Sequence, residues 1–407
     1  MPDPEPRAID HPAPAGARAA LEDLAHAWRQ RRGRTAQPRL YFSPGRVNLM
    51  GAHLDYNGGP VMPVAIDRGT FIALAPRADS HLRVASLVEP GECEIDLAAA
   101  ARPERSGAWF DYPLGVALAL RGSRLDLPGL DVLYGGNLPI GGGLSSSASI
   151  CVGTALALAQ AWGMQQTPLE RIETALWAER EYVGVKCGVM DPTSIGLARK
   201  GHLLWLDCKD RSSEHLPLDD DRLLIGVADS GVRRELARGD FNRRVEECRA
   251  AFTALRAHAP GATCLRDVPL HVLDAHGAAL DAPVARRARH VLEEVARTWS
   301  ARTALLQGDL QAFGAAMVQT HASLRELFEV SLPELDLLAE VALSIDGVYG
   351  ARLTGAGFGG CVVVLLHPRA RHELAPRLQQ AFARRFGRVP DVKLYASSDG
   401  PCEVAAG

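Results

Sequence analysis

The sequence predicts a two-domain α+β protein, and three observations carry that prediction. The chain has 407 residues, more than one hydrophobic core ordinarily serves. Apolar runs of strand length and stretches with helical periodicity follow one another without a strict alternation, most visibly in the second half. A polar segment at 209–221, with seven charged residues and a proline, separates two apolar-rich portions and is the expected boundary. Residues 1–16 are then a disordered tail, 17–215 an N-terminal domain and 216–407 a C-terminal domain.

The tail follows from five prolines and little apolar surface. Leu21, Leu24, Ala25 and Trp28 recur at helical spacing and predict an amphipathic helix over 17–32. A short strand over 39–42 comes next. Runs over 61–74 and 81–97 read as strands of a meander, 109–121 as a helix and 130–134 as a strand. The run 150–162 is apolar on nearly every face and predicts a buried helix. A helix over 168–183 carries Glu173, Glu179 and Glu181. In Cys187-Gly188-Val189-Met190-Asp191-Pro192-Thr193, spacing alone makes Asp191 the cap of a short buried helix.

A strand over 202–207 closes the first domain. The second opens on a strand at 223–229 and a helix at 243–258, with further helices through 260–330 and at 332–344. Strands at 349–353 and 362–366 flank Thr354-Gly355-Ala356-Gly357-Phe358-Gly359-Gly360-Cys361, a connector that either packs on another backbone or forms a tight turn. A helix at 371–386 and a strand at 392–396 complete the chain. His321, four residues before Arg325, reads as structural.

Composition narrows the function. A net charge of −3 argues against a general nucleic-acid binder or a membrane-surface protein. None of the eight cysteines forms C-x-x-C, and several sit in apolar runs, which suits a reduced, cytoplasmic protein without zinc. No apolar run is long enough to span a bilayer, and the acidic, Pro-rich start is unlike a signal peptide.

Two stretches carry chemistry. In Leu138-Pro139-Ile140-Gly141-Gly142-Gly143-Leu144-Ser145-Ser146-Ser147-Ala148-Ser149, the glycines let backbone N–H groups converge on one point. The serines suit a helix N-cap, and their hydroxyls can reach a phosphate or a Mg²⁺ ion. Free N–H donors and the positive end of the following helix complete an anion cradle. A Gly/Ser linker would not run straight into such a helix, and no G-x-x-x-x-G-K-[ST] loop is present. In the second stretch, residues 43–59, Arg46, Asn48, His53 and Asp55 lie among four glycines. They suit a polyhydroxylated ligand, or else a polar hairpin turn at Asn57-Gly58.

Taken together and in order, these motifs resemble those of the GHMP small-molecule kinases. Gly45-Arg46-Val47-Asn48-Leu49-Met50-Gly51, then His53 and Asp55-Tyr56-Asn57, is similar to the galactokinase signature, and the resemblance spans about residues 38–397. It implies a ribosomal-protein-S5-like N-terminal domain, a ferredoxin-like C-terminal domain, a site in the cleft between them, and ATP-dependent phosphorylation of a sugar at its anomeric hydroxyl. It replaces the capping role of Asp191 with that of general base or proton acceptor, with Arg46 beside it stabilising charge on the phosphoryl group. It assigns Gly141, Gly142, Gly143, Leu144, Ser145, Ser146 and Ser147 to the ATP phosphates, and Ser147 with Glu179 to Mg²⁺. His53, Asp55 and backbone near Gly188 would bind the sugar. The implied partners are a sugar and ATP, without nucleic acid or membrane, for a monomer or small homo-oligomer.

Three residues depart from the family pattern. Ala52 stands where Glu is usual, which removes an acceptor at the sugar's C6 end; of galactose and a C6-altered relative such as galacturonate, it favours the C6-altered sugar. Phe241 stands where Tyr is usual; aligned from Cys248, the first arginine of that segment is Arg244 and Val245 replaces the second. Pro192 stands where Gln follows the catalytic Asp. Arg233, Arg234 and His53 are the candidate cations for a C6 carboxylate. The rival readings are a non-catalytic sugar/ATP sensor of the same fold and a GHMP kinase for another small alcohol.

Overall fold

The computed structural model describes residues 14, 17–32, 37–139, 143–219, 222–233 and 237–405. The expected tail, save Pro14, lies outside these, as do Gly141, Gly142 and Arg234. The first portion runs α1 (Arg18–Arg32), β1 (Arg39–Asn48), β2 (Pro60–Val61), β3 (Pro63–Pro76), β4 (His81–Ser86), β5 (Glu92–Asp96), α2 (Asp111–Arg121), β6 (Leu130–Gly136), α3 (Ser146–Ala161), α4 (Pro168–Trp177), α5 (Met190–Gly196), β7 (His202–Asp207) and β8 (Ser213–Pro217). The second runs β9 (Leu224–Asp229), α6 (Ala237–Leu255), α7 (Leu270–His276), α8 (Ala282–Leu306), α9 (Leu310–Glu326), α10 (Pro333–Leu343), β10 (Val348–Thr354), β11 (Cys361–Leu366), α11 (Arg371–Phe386), β12 (Asp391–Tyr395) and β13 (Cys402–Val404).

The first sheet has the order β13-β1-β3-β6-β4-β5. Alternation along β1 sends Leu40 and Phe42 to one face, where they join Leu21, Leu24 and Trp28 of α1. Tyr41 goes to the other face, with Ile72 and the apolar residues of α3. Burial of each such large side chain is worth about 1.5–3 kcal/mol. Helix α3 is buried on nearly every face, as its composition predicts. The expected meander is not formed, because β6 inserts between β3 and β4 and runs parallel to β4.

The second portion forms the antiparallel sheet β10-β11-β9-β12. Numbered within that portion, its strands lie in the order 2-3-1-4, the ferredoxin-like β-α-β-β-α-β arrangement that the resemblance implies. Leu374, Leu378 and Phe382 of α11 join the cluster on one face of this sheet. Ile225, Val227, Val363 and Leu365 share another cluster with Val47, Leu49, Met50 and Leu144 from the first portion. The two portions are therefore joined by a continuous apolar core, and the signature stretch lies along that joint.

The polar segment at 209–221 is not a simple linker. Residues 213–217 pair with β7 as an antiparallel hairpin, so the expected division after residue 215 falls within β8. Only Leu216 of that strand is buried, which is why an exposed edge strand has the composition of a connector. The last strand also returns to the first sheet, with Leu40 opposite Val404.

Candidate active site

Asp191 is the second residue of α5 and does not cap it, since no side chain closes that helix's start. Its carboxylate turns toward β1 instead. Arg46 donates to Oδ1 from Nε at 2.8 Å and from Nη2 at 2.6 Å. Its third donor, Nη1, reaches the Gly143 carbonyl at 2.7 Å. Ser145 donates to Asp191 Oδ2 at 2.5 Å. Both carboxylate oxygens are thus held, and the guanidinium ties the acid to the Gly/Ser loop. Arg46 is almost fully buried, whereas the Asp191 side chain keeps 30% of its exposure and faces open space.

Ser145 precedes α3 with φ near +59° and makes no capping hydrogen bond. A non-glycine residue held there costs of order 1 kcal/mol, and the conformation turns its hydroxyl to Asp191 rather than to the helix. The expected serine N-cap is therefore corrected: the first amides of α3 have no side-chain cap and stay available to an anion. Leu144 accepts from the Arg46 amide at 3.2 Å, which pins the loop to β1. Gly45 permits this approach, because a Cβ there would stand 2.8 Å from the Leu144 carbonyl oxygen.

The glycine-rich connector packs against the same loop. A Cβ on Gly355 would lie 3.0 Å from Gly143 Cα, and both glycines have positive φ. Of the seven loop residues expected at ATP, Gly143, Leu144, Ser145, Ser146 and Ser147 are described and border this junction.

Glu179 lies in a π-helical turn, Ala178–Val183, that continues α4. Burial raises its carboxyl to about 7, opposed by a hydrogen bond from Ser147 and reinforced by the charge of Asp191. Cys187 Sγ donates to it at 3.6 Å. A buried carboxylate beside a hydroxyl, with no ion pair among the described residues, is an oxygen pair that suits Mg²⁺. No group of three or more His, Cys, Asp or Glu able to hold a metal occurs among the described residues, so phosphate and water oxygens would complete the shell.

The second stretch has no tight hairpin turn at Asn57-Gly58. Asp55–Asn57 forms a 3₁₀ turn closed by Gly58 in the left-handed conformation. Burial, and then the charge of Asp191, raises the Asp55 carboxyl to about 6. A Cβ on Gly188 would stand 2.0 Å from Asp55 Oδ2, so only glycine fits beside this carboxylate. His53 also has positive φ, and its Nδ1 lies 2.8 Å from the Tyr56 hydroxyl. Burial holds the His53 imidazole well below its usual pKa, so it is neutral at pH 7. Phe241 packs edge-on to Tyr56 at 5.6 Å and lies 6.0 Å from His53. Ala52 is buried and joins the core of the second portion.

A buried arginine that sequence reasoning did not single out anchors this stretch. Arg352 of β10, fully buried, donates to the carbonyls of Asn48 at 2.5 Å and Leu49 at 2.8 Å. Burial lowers its guanidinium to about 10. Arg244 of α6 donates to the carbonyls of Phe328 and Glu329. A single arginine in an otherwise apolar strand was the available signal for Arg352. His321 proves structural, since its Nδ1 accepts from the Leu353 amide and its Nε2 lies 3.2 Å from Asp336.

Comparison with known proteins matches this arrangement. Residues 27–76 match the galactokinase galactose-binding signature, 111–198 the GHMP kinases N-terminal domain and 301–386 the GHMP kinases C-terminal family. A galactokinase of Roseiflexus sp. (strain RS-1) is 42% identical over 88% of this chain and 91% of its own. The Homo sapiens galactokinase is 38% identical over 93% and 95%. The crystal structure of Lactococcus lactis galactokinase complexed with galactose superposes with a TM-score of 0.89 at 30% identity, covering 94% of this chain and all of that one. A mevalonate kinase structure, at 20% identity and a TM-score of 0.65, shares the fold. The chain therefore belongs to the galactokinase family of the GHMP kinases and is a sugar kinase.

Proposed function

We propose that this protein transfers the γ-phosphoryl group of ATP to the anomeric C1 hydroxyl of galactose. The observation that carries the proposal is the position of Asp191. It is held on both oxygens by Arg46 and Ser145, partly exposed, and close enough to Asp55 for their charges to interact. A sugar hydroxyl between the Gly/Ser loop and Asp55 would meet Asp191 as proton acceptor. Arg46 would stabilise the charge that develops on the transferred group, while the loop amides and the start of α3 bind the phosphates. Ser147 and Glu179 would hold Mg²⁺, which when bound neutralises phosphate charge. Asp55, His53 and the backbone at Gly188 would orient the sugar.

Galactose is favoured over galacturonate on this reading. Of the three cations expected for a C6 carboxylate, Arg233 is engaged by Asp229 at 2.5 Å, His53 is neutral and Arg234 lies outside the described residues. The eight cysteines are free thiols, which fits a reducing compartment such as the cytoplasm. No helix among the described residues is long and apolar enough to cross a membrane.

The test is ADP release with ATP and Mg²⁺ against galactose, galacturonate, N-acetylgalactosamine, arabinose and fucose, with the product's phosphorylated carbon assigned by phosphorus NMR. Galactose 1-phosphate as the main product is the expected result. A better rate with galacturonate would overturn the substrate choice, and phosphorylation at another carbon would overturn the chemistry.

A further inference from the structure

Helix α8 carries two fully buried polar side chains one turn apart, His290 and Glu294. Both act on the same short piece of the sugar stretch. Glu294 Oε1 accepts the Gly51 and Ala52 amides, each at 3.1 Å. Its other oxygen takes the Thr320 hydroxyl at 2.9 Å and a guanidinium N–H of Arg297. His290 Nε2 donates to the Ala52 carbonyl at 3.1 Å, and its Nδ1 accepts from Ser323 at 2.8 Å. The Ala52 backbone is thus held at both its N–H and its C=O by one helix.

Two left-handed residues flank that unit, Gly51 at φ +84° and His53 at φ +58°. For histidine this conformation is costly and persists only where its surroundings enforce it. Phe328 fills the gap between the rings of His53 and His290, at 4.5 Å and 4.6 Å. Burying a carboxylate is expensive, and two amides and a hydroxyl could be satisfied by a neutral group or a water. A carboxylate grips all three at once and keeps the loop's turn closed.

We infer that Glu294, supported by His290, is a positioning residue for sugar recognition, setting the conformation in which residues 51–55 present His53 and Asp55 to the substrate. This rests on the sugar site proposed above. It makes sugar affinity depend on α8, while the phosphate loop is held by β1, α5 and the connector at Gly355.

The test compares Glu294→Ala and Glu294→Gln with Leu378→Ala, a destabilising change in α11. Galactose affinity is measured by calorimetry, alongside KM for ATP, kcat at saturating galactose, and Tm. Glu294→Ala should weaken galactose binding about 30-fold, and Glu294→Gln, which keeps volume and one acceptor, by about three- to tenfold. KM for ATP should stay within about twofold and kcat within about threefold in both. Leu378→Ala should lower Tm without changing galactose affinity. If Glu294→Ala fails to fold, Glu294→Gln decides. Unchanged galactose affinity in Glu294→Gln, or equal losses for both substrates, overturns the inference. Absence of galactose binding by the wild type would instead overturn the proposed substrate, and the inference with it.

Discussion

The phosphate side and the sugar side of this site are built by different kinds of contact. On the phosphate side, β1, the Gly/Ser loop, α5 and the connector after β10 converge through close backbone approaches at Gly45, Gly143 and Gly355 and through one guanidinium, Arg46. On the sugar side, the backbone of residues 48–52 is held by buried charged side chains from the second portion, Arg352 and Glu294. The first kind of contact fixes where charge can develop. The second fixes the shape of a loop. Variants should therefore separate turnover from sugar affinity.

The largest effect is expected on the phosphate side. Arg46→Ala removes the donors to Asp191 and to the Gly143 carbonyl together, so kcat should fall by about 10²–10³, with galactose binding reduced much less. Steady-state kinetics with calorimetry reads this, and a loss confined to galactose affinity would blur the two sides into one. Gly188→Ala should do the reverse. Its Cβ would strike Asp55, so galactose KM should rise about tenfold or more while KM for ATP is held.

Glu179 sharpens the comparison through stability. Its folded pKa is raised above the unfolded value, to about 7, so the native state binds the extra proton. Stability from this group is greatest at low pH and is lost as pH rises between about 4.5 and 7. Glu179→Gln should therefore raise Tm at pH 8, by the equivalent of up to about 3 kcal/mol, and change it little at pH 4.5. The same variant should lose Mg²⁺-supported activity. Equal Tm shifts at both pH values would contradict the buried, uncompensated carboxylate. The smallest effect is expected for Phe241→Tyr. Its ring contacts Tyr56 and His53 at the edge of the sugar stretch, and a restored hydroxyl should change galactose KM by no more than about threefold.

The same division governs what could be read from the sequence. The phosphate side was legible because its loop is short, contiguous and chemically unusual, three glycines followed by three serines. Resemblance then linked Asp191, which spacing alone assigned to a helix cap, to Arg46, 145 residues away. The sugar-side supports were not legible. Glu294 lies 242 residues from Ala52, and inside α8 it reads as one more charged residue of an amphipathic helix. Arg352 is hidden in a strand whose neighbours are apolar. Topology was lost for related reasons. The parallel pairing of β4 with β6, and the return of β13 to β1, are long-range choices that no local pattern records. The edge strand β8 is too polar to show its period.

The measurement that tests this account most directly is a paired one, galactose dissociation constant and kcat for Asp191→Asn and Glu294→Gln. Asp191→Asn should lose turnover by about 10³-fold while binding galactose within about twofold of the wild type. Glu294→Gln should keep turnover and lose affinity. Loss of the same parameter in both variants, or normal turnover by Asp191→Asn, would contradict a site in which chemistry and sugar recognition are held by separate parts of the fold.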